Sequence, residues 1–230
     1  MSKASISVII PTVNEMENLK RCITAVRAAS NTEIIVVDGK SRDKTREIAS
    51  DLGVRVIGTD RSRGLQMNLG AEKALSEILL FLHADTLVPA GFSKEIRNIL
   101  KRAPGAVGAF GLSIDAPGIS YRIIEFFVGL RSNYLKMVYG DQAIFTKRET
   151  FRALGGFPDQ PLMEDLEFIR QARRRRPIIV SKLKVRTSAR RWQRLGPLKT
   201  TLLNQLLIMA YLAGVSPKSL SRIYYRKRRK

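Results

Sequence analysis

The sequence predicts an α/β fold in which a mostly parallel central sheet is flanked by helices. Over the first hundred residues, short apolar runs rich in β-branched residues alternate with amphipathic segments. This alternation is typical of right-handed βαβ units, whose helices cover both faces of a parallel sheet. Polar or charged residues follow each apolar run, at the strand end where such sheets bind ligands. We therefore expect a ligand site at the carboxyl edge of the sheet.

Four strands are predicted in the first half of the chain. Their apolar runs span residues 5–11, 33–37, 54–58 and 78–82. The connecting segments carry apolar residues at the spacing of an amphipathic helix. They predict a first helix that buries Leu19, Ile23 and Val26, and further helices over 43–52 and 65–76.

The second half is less regular. Strands are predicted over 105–114, 143–146 and 178–185, and helices over 120–130, 162–175 and 197–215, with a further helix ending at Gly155 and a basic tail over 222–230. The sequence has no internal repeat and no Pro- or Ser-rich linker. We therefore expect one continuous domain over 1–195, followed by a basic helical extension over 196–230.

The charge of the chain is unevenly distributed. The 230 residues carry a net charge of +21. Residues 1–115 hold 16 basic and 13 acidic side chains, whereas residues 116–230 hold 25 basic and 7 acidic ones, and no Asp or Glu follows Glu167. The second half is therefore expected to face an anionic partner.

Several classes of protein are disfavoured by composition. The single cysteine, Cys22, rules out an internal disulfide framework and is expected to be a buried structural thiol. The single histidine, His83, rules out a site with several histidine ligands. The first residues lead directly into a strand, and no apolar run reaches the length of a membrane span. We expect a reducing, cytoplasmic location.

The ends of the first two strands carry polar residues with two open interpretations. Residues 11–15 lack the Gly-rich turn of a dinucleotide-binding fold, which argues against a nicotinamide or flavin dehydrogenase. Asn14 is interpreted as a helix cap, with or without ligand contact. Asp38 ends the second strand, where it either binds a base or ribose or forms an Asx-turn.

The next two strand ends suit a phosphorylated ligand. Arg61 and Arg63 precede a helix, and guanidinium groups at such a position bind phosphate oxygens unless the loop is merely solvated. Asp85 emerges from an apolar strand and can hold Mg²⁺ or Mn²⁺ shared with substrate phosphates. His83 is interpreted as a packed or hydrogen-bonding side chain.

Two adjacent acids open a helix in the second half. Glu164 and Asp165 either complement the helix dipole or place a general base in the cleft. The residues alone do not separate these two roles.

Seven ordered motifs together resemble the family 2 glycosyltransferases with the GT-A fold. They are VIIPTVNE (8–15), VVDGKSRDKT (36–45), RGLQMNLG (63–70), LFLHADT (80–86), GDQAIF (140–145), LGGFP (154–158) and MEDLEF (163–168). The resemblance covers about residues 5–195. It is greatest to the small bacterial branch of arsenosugar-type and carotenoid-type glycosyltransferases, which carry a similar LHADT and a terminal ARRW segment.

The resemblance implies a division of the chain and a set of donor-binding residues. Residues 1–115 would bind the nucleotide sugar and the metal, and 116–195 would form a smaller acceptor-side region. The residues implied in nucleotide-sugar binding are Pro11, Thr12, Glu15, Asp38, Arg63, Asn68 and His83. Asp85 matches the last acid of the family's Asp-x-Asp motif and would hold Mg²⁺ or Mn²⁺ on the diphosphate.

The resemblance also implies the catalytic and acceptor residues. Asp165 matches the catalytic base for an in-line attack with inversion at the anomeric carbon, and Glu164 lies beside it. The residues implied in the acceptor or sugar pocket are Asp141, Gln142, Arg191 and Trp192. In the last pair the indole ring would stack on a sugar or acceptor, and the guanidinium would meet phosphate.

Two departures from the family pattern affect the donor site. His83 replaces the first acid of the Asp-x-Asp motif. Asp38 stands alone after the second strand, with Lys40 nearby, where the family has consecutive acids. The donor therefore stays open between a UDP-sugar and a GDP-sugar, and the acceptor is unidentified.

Two other functions would explain the positive charge. A nucleic-acid-binding protein would use the RRRR and YYRKRR stretches, although no known nucleic-acid motif accompanies them. A non-catalytic peripheral membrane protein would use the same basic segment. An enzyme that docks on the inner membrane surface combines the charge with the motifs, with residues 120–130 and 202–215 in apolar contact. Alternatively, those two helices pack on the sheet or form a homodimer.

Overall fold

A computed structural model describes residues 5–60 and 62–226. The strands are β1 Ile6–Thr12, β2 Thr32–Asp38, β3 Arg55–Gly58, β4 Ile78–Phe81, β5 Thr86–Leu87, β6 Val107–Asp115, β7 Ile144–Lys147 and β8 Ile178–Ser188. The helices are α1 Leu19–Arg27, α2 Thr45–Asp51, α3 Arg63–Lys73, α4 Phe92–Arg102, α5 Ile119–Tyr134, α6 Arg148–Ala153, α7 Glu164–Ala172, α8 Arg190–Leu195, α9 Pro197–Leu212 and α10 Pro217–Arg226. A 3-10 turn spans Gly140–Gln142.

The strands form one eight-stranded sheet in the order β3-β2-β1-β4-β7-β6-β8-β5. The first four strands pair in parallel, as the βαβ pattern predicts. Strand β7 pairs antiparallel with both β4 and β6, and β5 pairs antiparallel with β8, whereas β6 and β8 are parallel. The first-half strands therefore end at one edge, and β7 joins them to the second half.

The sheet separates two apolar cores. Along β1, Val8 and Ile10 face the helices α1 and α4, whereas Ile9 faces α3 and α7. All seven residues of β1 are buried, because a parallel strand in the middle of the sheet is covered on both faces. Cys22 is fully buried in the first core, as predicted, and burial raises the pKa of its thiol.

The predicted elements of the first half agree with the structure to within a few residues. Three elements of the described chain were not predicted, namely β5, α4 and α8. The predicted basic tail is helical up to Arg226 as part of α10, and residues 227–230 lie outside the described residues.

The last helices form a layer on the second half. Helix α9 contacts α8, α10 and α5. Leu207 of α9, Leu220 of α10 and Leu162 form a small apolar cluster that attaches this layer to the segment before α7. In the described part of the chain, no helix is both long and apolar enough to cross a membrane.

Candidate active site

The ends of β1 and β2 form the base of the predicted nucleotide site. Thr12 and Asp38 are register partners, and the Thr12 hydroxyl donates to Asp38 Oδ1 at 3.3 Å. Asp38 is fully buried and accepts hydrogen bonds from the main-chain N–H of Ser41 at 3.0 Å and from its hydroxyl at 2.5 Å. Asp38 thus forms the turn that the sequence allowed. Pro11 is buried beside Val37. It stays a prediction that Pro11, Thr12 and Asp38 contact a nucleotide.

Asn14 does not cap the first helix, so that prediction is wrong. Helix α1 begins at Leu19, and Asn18 precedes it. Asn14 has a left-handed backbone with φ 56° and accepts a hydrogen bond from the Arg42 main-chain N–H at 2.8 Å. It therefore ties together the loops that follow β1 and β2.

Arg190 connects two acids at the sheet edge. Its Nη2 atom donates to Glu15 Oε1 at 2.5 Å and Oε2 at 2.7 Å, and lies 3.4 Å from Asp85 Oδ2. Burial raises the pKa of Glu15, and the neighbouring Asp85 adds to this rise, whereas Arg190 opposes it. Sequence reasoning did not single out Arg190. Its only signal is its position after β8, in the ARRW segment.

Asp85 fits a divalent metal only in part. It offers a single carboxylate to a metal. The Asp85 side chain is 25% exposed and pairs with the guanidinium of Arg190. Mg²⁺ commonly uses one protein carboxylate and completes its shell with substrate phosphates and water. Among the described residues, no group of three or more acidic, histidine or cysteine side chains is arranged to hold a metal alone. A metal here therefore depends on the substrate for its other ligands.

His83 and Asp165 meet at Gly140. A β-carbon at Gly140 would lie 2.9 Å from His83 Nε2 and 3.0 Å from Asp165 Oδ2, so only glycine leaves room for both side chains. Burial and the positive charge of Arg63 lower the pKa of His83 to about 4, although Asp85 and Asp165 oppose this. The imidazole is therefore neutral near pH 7.

Asp165 is oriented by main-chain donors. Its Oδ2 accepts the Gly140 N–H at 2.6 Å, and its Oδ1 accepts the Leu166 N–H at 2.8 Å. The preceding Glu164 is buried and pairs with Arg63 Nε at 2.5 Å. Met163, just before α7, has φ 65°, a costly conformation for a non-glycine residue that turns the chain into this helix. Of the two acids, only Asp165 is partly accessible.

The 3-10 turn places Asp141 and Gln142 differently. The Gln142 side chain is fully buried, and it accepts from Arg131 and Ser132 and donates to the Phe110 carbonyl at 3.0 Å. Gln142 thus fixes the turn. The Oδ1 atom of Asp141 is buried and has no hydrogen-bond partner within the described residues, and burial raises the pKa of its carboxyl. An unpartnered buried oxygen is typical of a site that a ligand completes.

Arg191 and Trp192 connect the site to the outer helices. Arg191 donates to Asn204 Oδ1 at 3.0 Å and lies over the Tyr224 ring, with 4.6 Å between the guanidinium carbon and the ring centroid. The Trp192 ring packs with Tyr121 and other apolar residues, and its Nε1 lacks a partner in the part of the chain described. Trp192 is only 9% exposed, which leaves little of the ring for contact with a ligand. Stacking of this ring on a sugar stays a prediction.

Asn68 binds the main chain of a neighbouring loop. Its side-chain amide donates to the Phe157 carbonyl at 2.8 Å and accepts the Phe157 N–H at 2.9 Å. The two bonds hold the LGGFP loop against α3. Contact between Asn68 and a nucleotide stays a prediction.

Comparison with known proteins identifies the family. The model for glycosyl transferase family 2 matches residues 7–156. The chain belongs to this family. Its motifs at the ends of β1, β2 and β4, and the loop with Gly140, lie within the matched residues. The family predicted from the sequence is therefore confirmed.

Two relatives show how much of the chain is shared. Glycosyltransferase AglE of Haloferax volcanii is 36% identical over 91 residues, which are 35% of this chain and 30% of AglE. The 4,4'-diaponeurosporenoate glycosyltransferase of Staphylococcus haemolyticus is 37% identical over 90 residues, which are 35% of this chain and 24% of the relative. The matched segment thus spans less than a third of either family 2 relative.

Solved structures confirm the fold. A crystal structure of residues 1–349 of S. aureus TarS in complex with UDP-GlcNAc matches with a TM-score of 0.64 at 18% identity, covering 80% of this chain and 58% of that one. Another structure of the same part of TarS matches with a TM-score of 0.64 and covers 94% of this chain and 68% of that one. The family 2 chain therefore has the predicted GT-A fold.

Proposed function

We propose that this family 2 protein is an inverting glycosyltransferase that moves a sugar from a nucleotide diphosphate sugar to an acceptor hydroxyl. The main support for this proposal is the position of Asp165. Its carboxylate is held by two main-chain N–H groups beside His83, and it is partly accessible whereas its neighbour Glu164 is not. A partly accessible carboxylate fixed in this way is suited to act as a general base.

The reaction is a single displacement. Asp165 takes the proton of the acceptor hydroxyl as that oxygen forms a bond to the anomeric carbon. The bond from this carbon to the donor diphosphate breaks, and the electron pair leaves with the nucleoside diphosphate. Because attack and departure occur on opposite faces, the anomeric configuration inverts.

Cationic groups offset the charge that develops on the leaving diphosphate. Arg63 and Arg190 pair with Glu164 and Glu15, Arg191 interacts electrostatically with Asp141, and fixed guanidinium groups stabilise phosphate oxygens. Mg²⁺ or Mn²⁺ held by Asp85 would add Lewis-acid stabilisation of the same charge.

The donor is proposed to be a UDP-sugar or a GDP-sugar. The TarS complexes with UDP-GlcNAc and UDP share this fold and support a uridine donor. Binding of a specific nucleic acid is not expected, because no known nucleic-acid motif accompanies the basic stretches of the sequence. The acceptor is unidentified.

The proposal is tested with Asp165→Asn. The purified protein is incubated with UDP-glucose, UDP-N-acetylglucosamine or GDP-mannose and Mn²⁺, and release of nucleoside diphosphate is measured. We expect Asp165→Asn to slow release at least about a hundredfold, because the amide cannot accept the proton. Binding of the nucleoside diphosphate should change little.

A matched control uses Asp51→Asn, the same substitution on exposed α2. This variant should retain wild-type turnover. Normal turnover in Asp165→Asn would remove Asp165 from the role of base. The anomeric configuration of the first product, read by NMR, tests inversion separately, and retention would overturn the single displacement.

A further inference from the structure

Helix α5 exposes apolar side chains to solvent as well as burying some. Its outward side exposes large apolar side chains at helical spacing, namely Ile119, Ile123, Phe126, Phe127, Leu130 and Tyr134. Phe126 and Phe127 are each 62% exposed. Its inward side buries Tyr121 and Ile124 together with Ser132 and Glu125, which accepts the Ile114 N–H at 2.6 Å. A surface helix in water normally turns its polar residues outward.

Helix α9 also exposes an apolar side. Its outward side exposes Leu198, Leu202, Leu206, Met209 and Leu212. Its inward side buries Leu207 and Thr200 and carries two polar contacts, in which Asn204 binds Arg191 and the Tyr211 hydroxyl donates to Glu167 at 2.9 Å. Helices α5 and α9 contact one another, and we call their exposed apolar side chains together the apolar face.

Helices α5, α9 and α10 carry exposed basic residues. They are Arg122 of α5, which pairs with Glu125, Lys199 of α9, and Lys218 and Arg222 of α10. The only acid within α5, Glu125, is buried, and α9 and α10 contain no Asp or Glu. This combination of apolar side chains with basic residues is the composition of a helix that lies in the interface of an anionic bilayer.

We propose that the apolar face docks on an anionic membrane surface. An exposed apolar surface of this extent is expected to be covered in the cell. A second copy of the chain is a poorer partner, because a two-fold contact would oppose the same basic residues, and α5, α9 and α10 have no exposed acid to pair with them. An anionic bilayer supplies hydrocarbon that can contact the leucines and phenylalanines. Its headgroups supply negative charge that can pair with the exposed basic residues.

The helices that carry the apolar face also contribute to the active site. Arg131 of α5 donates to Gln142 at 2.9 Å and interacts electrostatically with Asp141. Arg191 of α8 is bound to Asn204 of α9. Docking would therefore place the acceptor side of the site near the membrane surface. If the proposed transferase activity holds, on which this second step rests, the acceptor is an amphiphile held in that surface.

The docking is tested by flotation with vesicles of phosphatidylcholine alone or mixed with phosphatidylglycerol. The wild-type chain should float with the mixed vesicles and much less with the neutral ones. Its binding should weaken as salt is raised, since ions screen the attraction. The double variants Phe126→Ser/Phe127→Ser and Leu202→Ser/Leu206→Ser should each bind at least about tenfold more weakly.

Leu75→Ser is the matched control, because Leu75 is 62% exposed, as Leu202 is, but lies outside the apolar face. It should bind like wild type. Absence of flotation with anionic vesicles, or wild-type binding by both double variants, would overturn the proposal. It would also be overturned if the variants changed only the oligomeric state, measured by light scattering.

Thermal shift by nucleoside diphosphates separates this proposal from the proposed function. The apolar-face variants should keep the wild-type shift, which also shows that they are folded. If the wild-type chain failed to float but its melting temperature still rose with nucleoside diphosphates, docking alone would be overturned. Flotation without any shift would leave docking supported and count against the transferase.

Discussion

At the scale of single residues, the two adjacent acids at the start of α7 have different surroundings. Glu164 is buried against Arg63, whereas Asp165 is held by main-chain donors and is partly accessible. The resemblance implied Asp165 as the base with Glu164 beside it, and the residues alone could not tell which of the two is accessible. The backbone of Met163, with its positive φ, sets the direction of both.

The fit of His83 and Asp165 around Gly140 makes a specific prediction. In Gly140→Ala, the new β-carbon would lie 2.9 Å from one side chain and 3.0 Å from the other, so at least one must move. We expect donor turnover to fall about tenfold or more, because a small displacement of a general base is costly. Nucleoside diphosphate release under saturating donor measures this.

Gly129→Ala is its control, since nothing lies within 4 Å of a β-carbon there and the residue is within α5. Turnover should stay at the wild-type level in this variant. Equal activity of both variants would contradict the packing of the base against Gly140.

The contact of Arg190 with Asp85 predicts competition with a metal. In Arg190→Gln, the positive charge beside Asp85 is lost. The affinity for Mn²⁺ in the presence of UDP should then rise by roughly tenfold, because a like charge is removed. The free Mn²⁺ signal in electron paramagnetic resonance measures this affinity.

Arg102→Gln, on the exposed side of α4, is the control for the change in net charge. It should leave Mn²⁺ binding unchanged. If Arg190→Gln also left Mn²⁺ binding unchanged, the idea that Arg190 occupies the place of a cation at Asp85 would be wrong.

Among the elements, a polar cluster fastens α9 to helix α7. Glu167 accepts from Arg170, Gln171 and Tyr211, and these bonds, led by that of Arg170, lower its pKa to about 2 from the usual 4.5. Because the folded-state pKa is depressed, the stabilisation is complete above about pH 4.5. It is lost as the pH falls toward 2.

The free energy of unfolding of Glu167→Gln should therefore be lower than that of wild type by about 1–2 kcal/mol at pH 7. This value is modest because Arg170 is partly exposed and solvent screens its charge. The difference should be smaller at pH 3. Urea unfolding at both pH values measures it. Glu149→Gln, with a side chain that is 75% exposed, serves as the control and should show little loss at either pH. A loss independent of pH would contradict the assigned cause.

The elements that were predicted correctly are those with local signals. Buried parallel strands are continuous apolar runs, so β1, β2 and β4 could be read directly. Strand β5 has two residues, too few for any pattern. Helix α4 has a signal of the same kind in Phe92, Ile96 and Leu100, which are buried at helical spacing, although it was not among the predicted helices.

The site was predictable to the extent that it lies at strand ends. Asp85 and Asp165 were identified from their motifs. Arg190 reaches Glu15 across 175 residues of chain, and only the folded arrangement of β8 beside β6 and β5 brings it there. The position of Trp192 against Tyr121 depends on the same packing.

At the scale of the whole molecule, the net charge of +21 serves two regions. Arg190 and Arg191, from the basic second half, reach acids or histidine that belong to the nearly neutral first half. On helices α9 and α10, Lys199, Lys218 and Arg222 are exposed. The charge therefore fits a site for an anionic donor next to a surface for anionic lipid, and no separate nucleic-acid site is needed to explain it.

Thermal shift with nucleoside diphosphates tests the central claim, a nucleotide-sugar site at the carboxyl edge of the sheet, most directly. The full chain is heated with UDP, GDP or ADP, each with and without Mn²⁺. At about a hundredfold excess over the dissociation constant, UDP or GDP should raise the melting temperature by about 5 °C or more. Asp85→Ala should lose the Mn²⁺-dependent part of this rise, and Asp51→Ala should retain it. A melting temperature that does not respond to any nucleoside diphosphate would contradict the account.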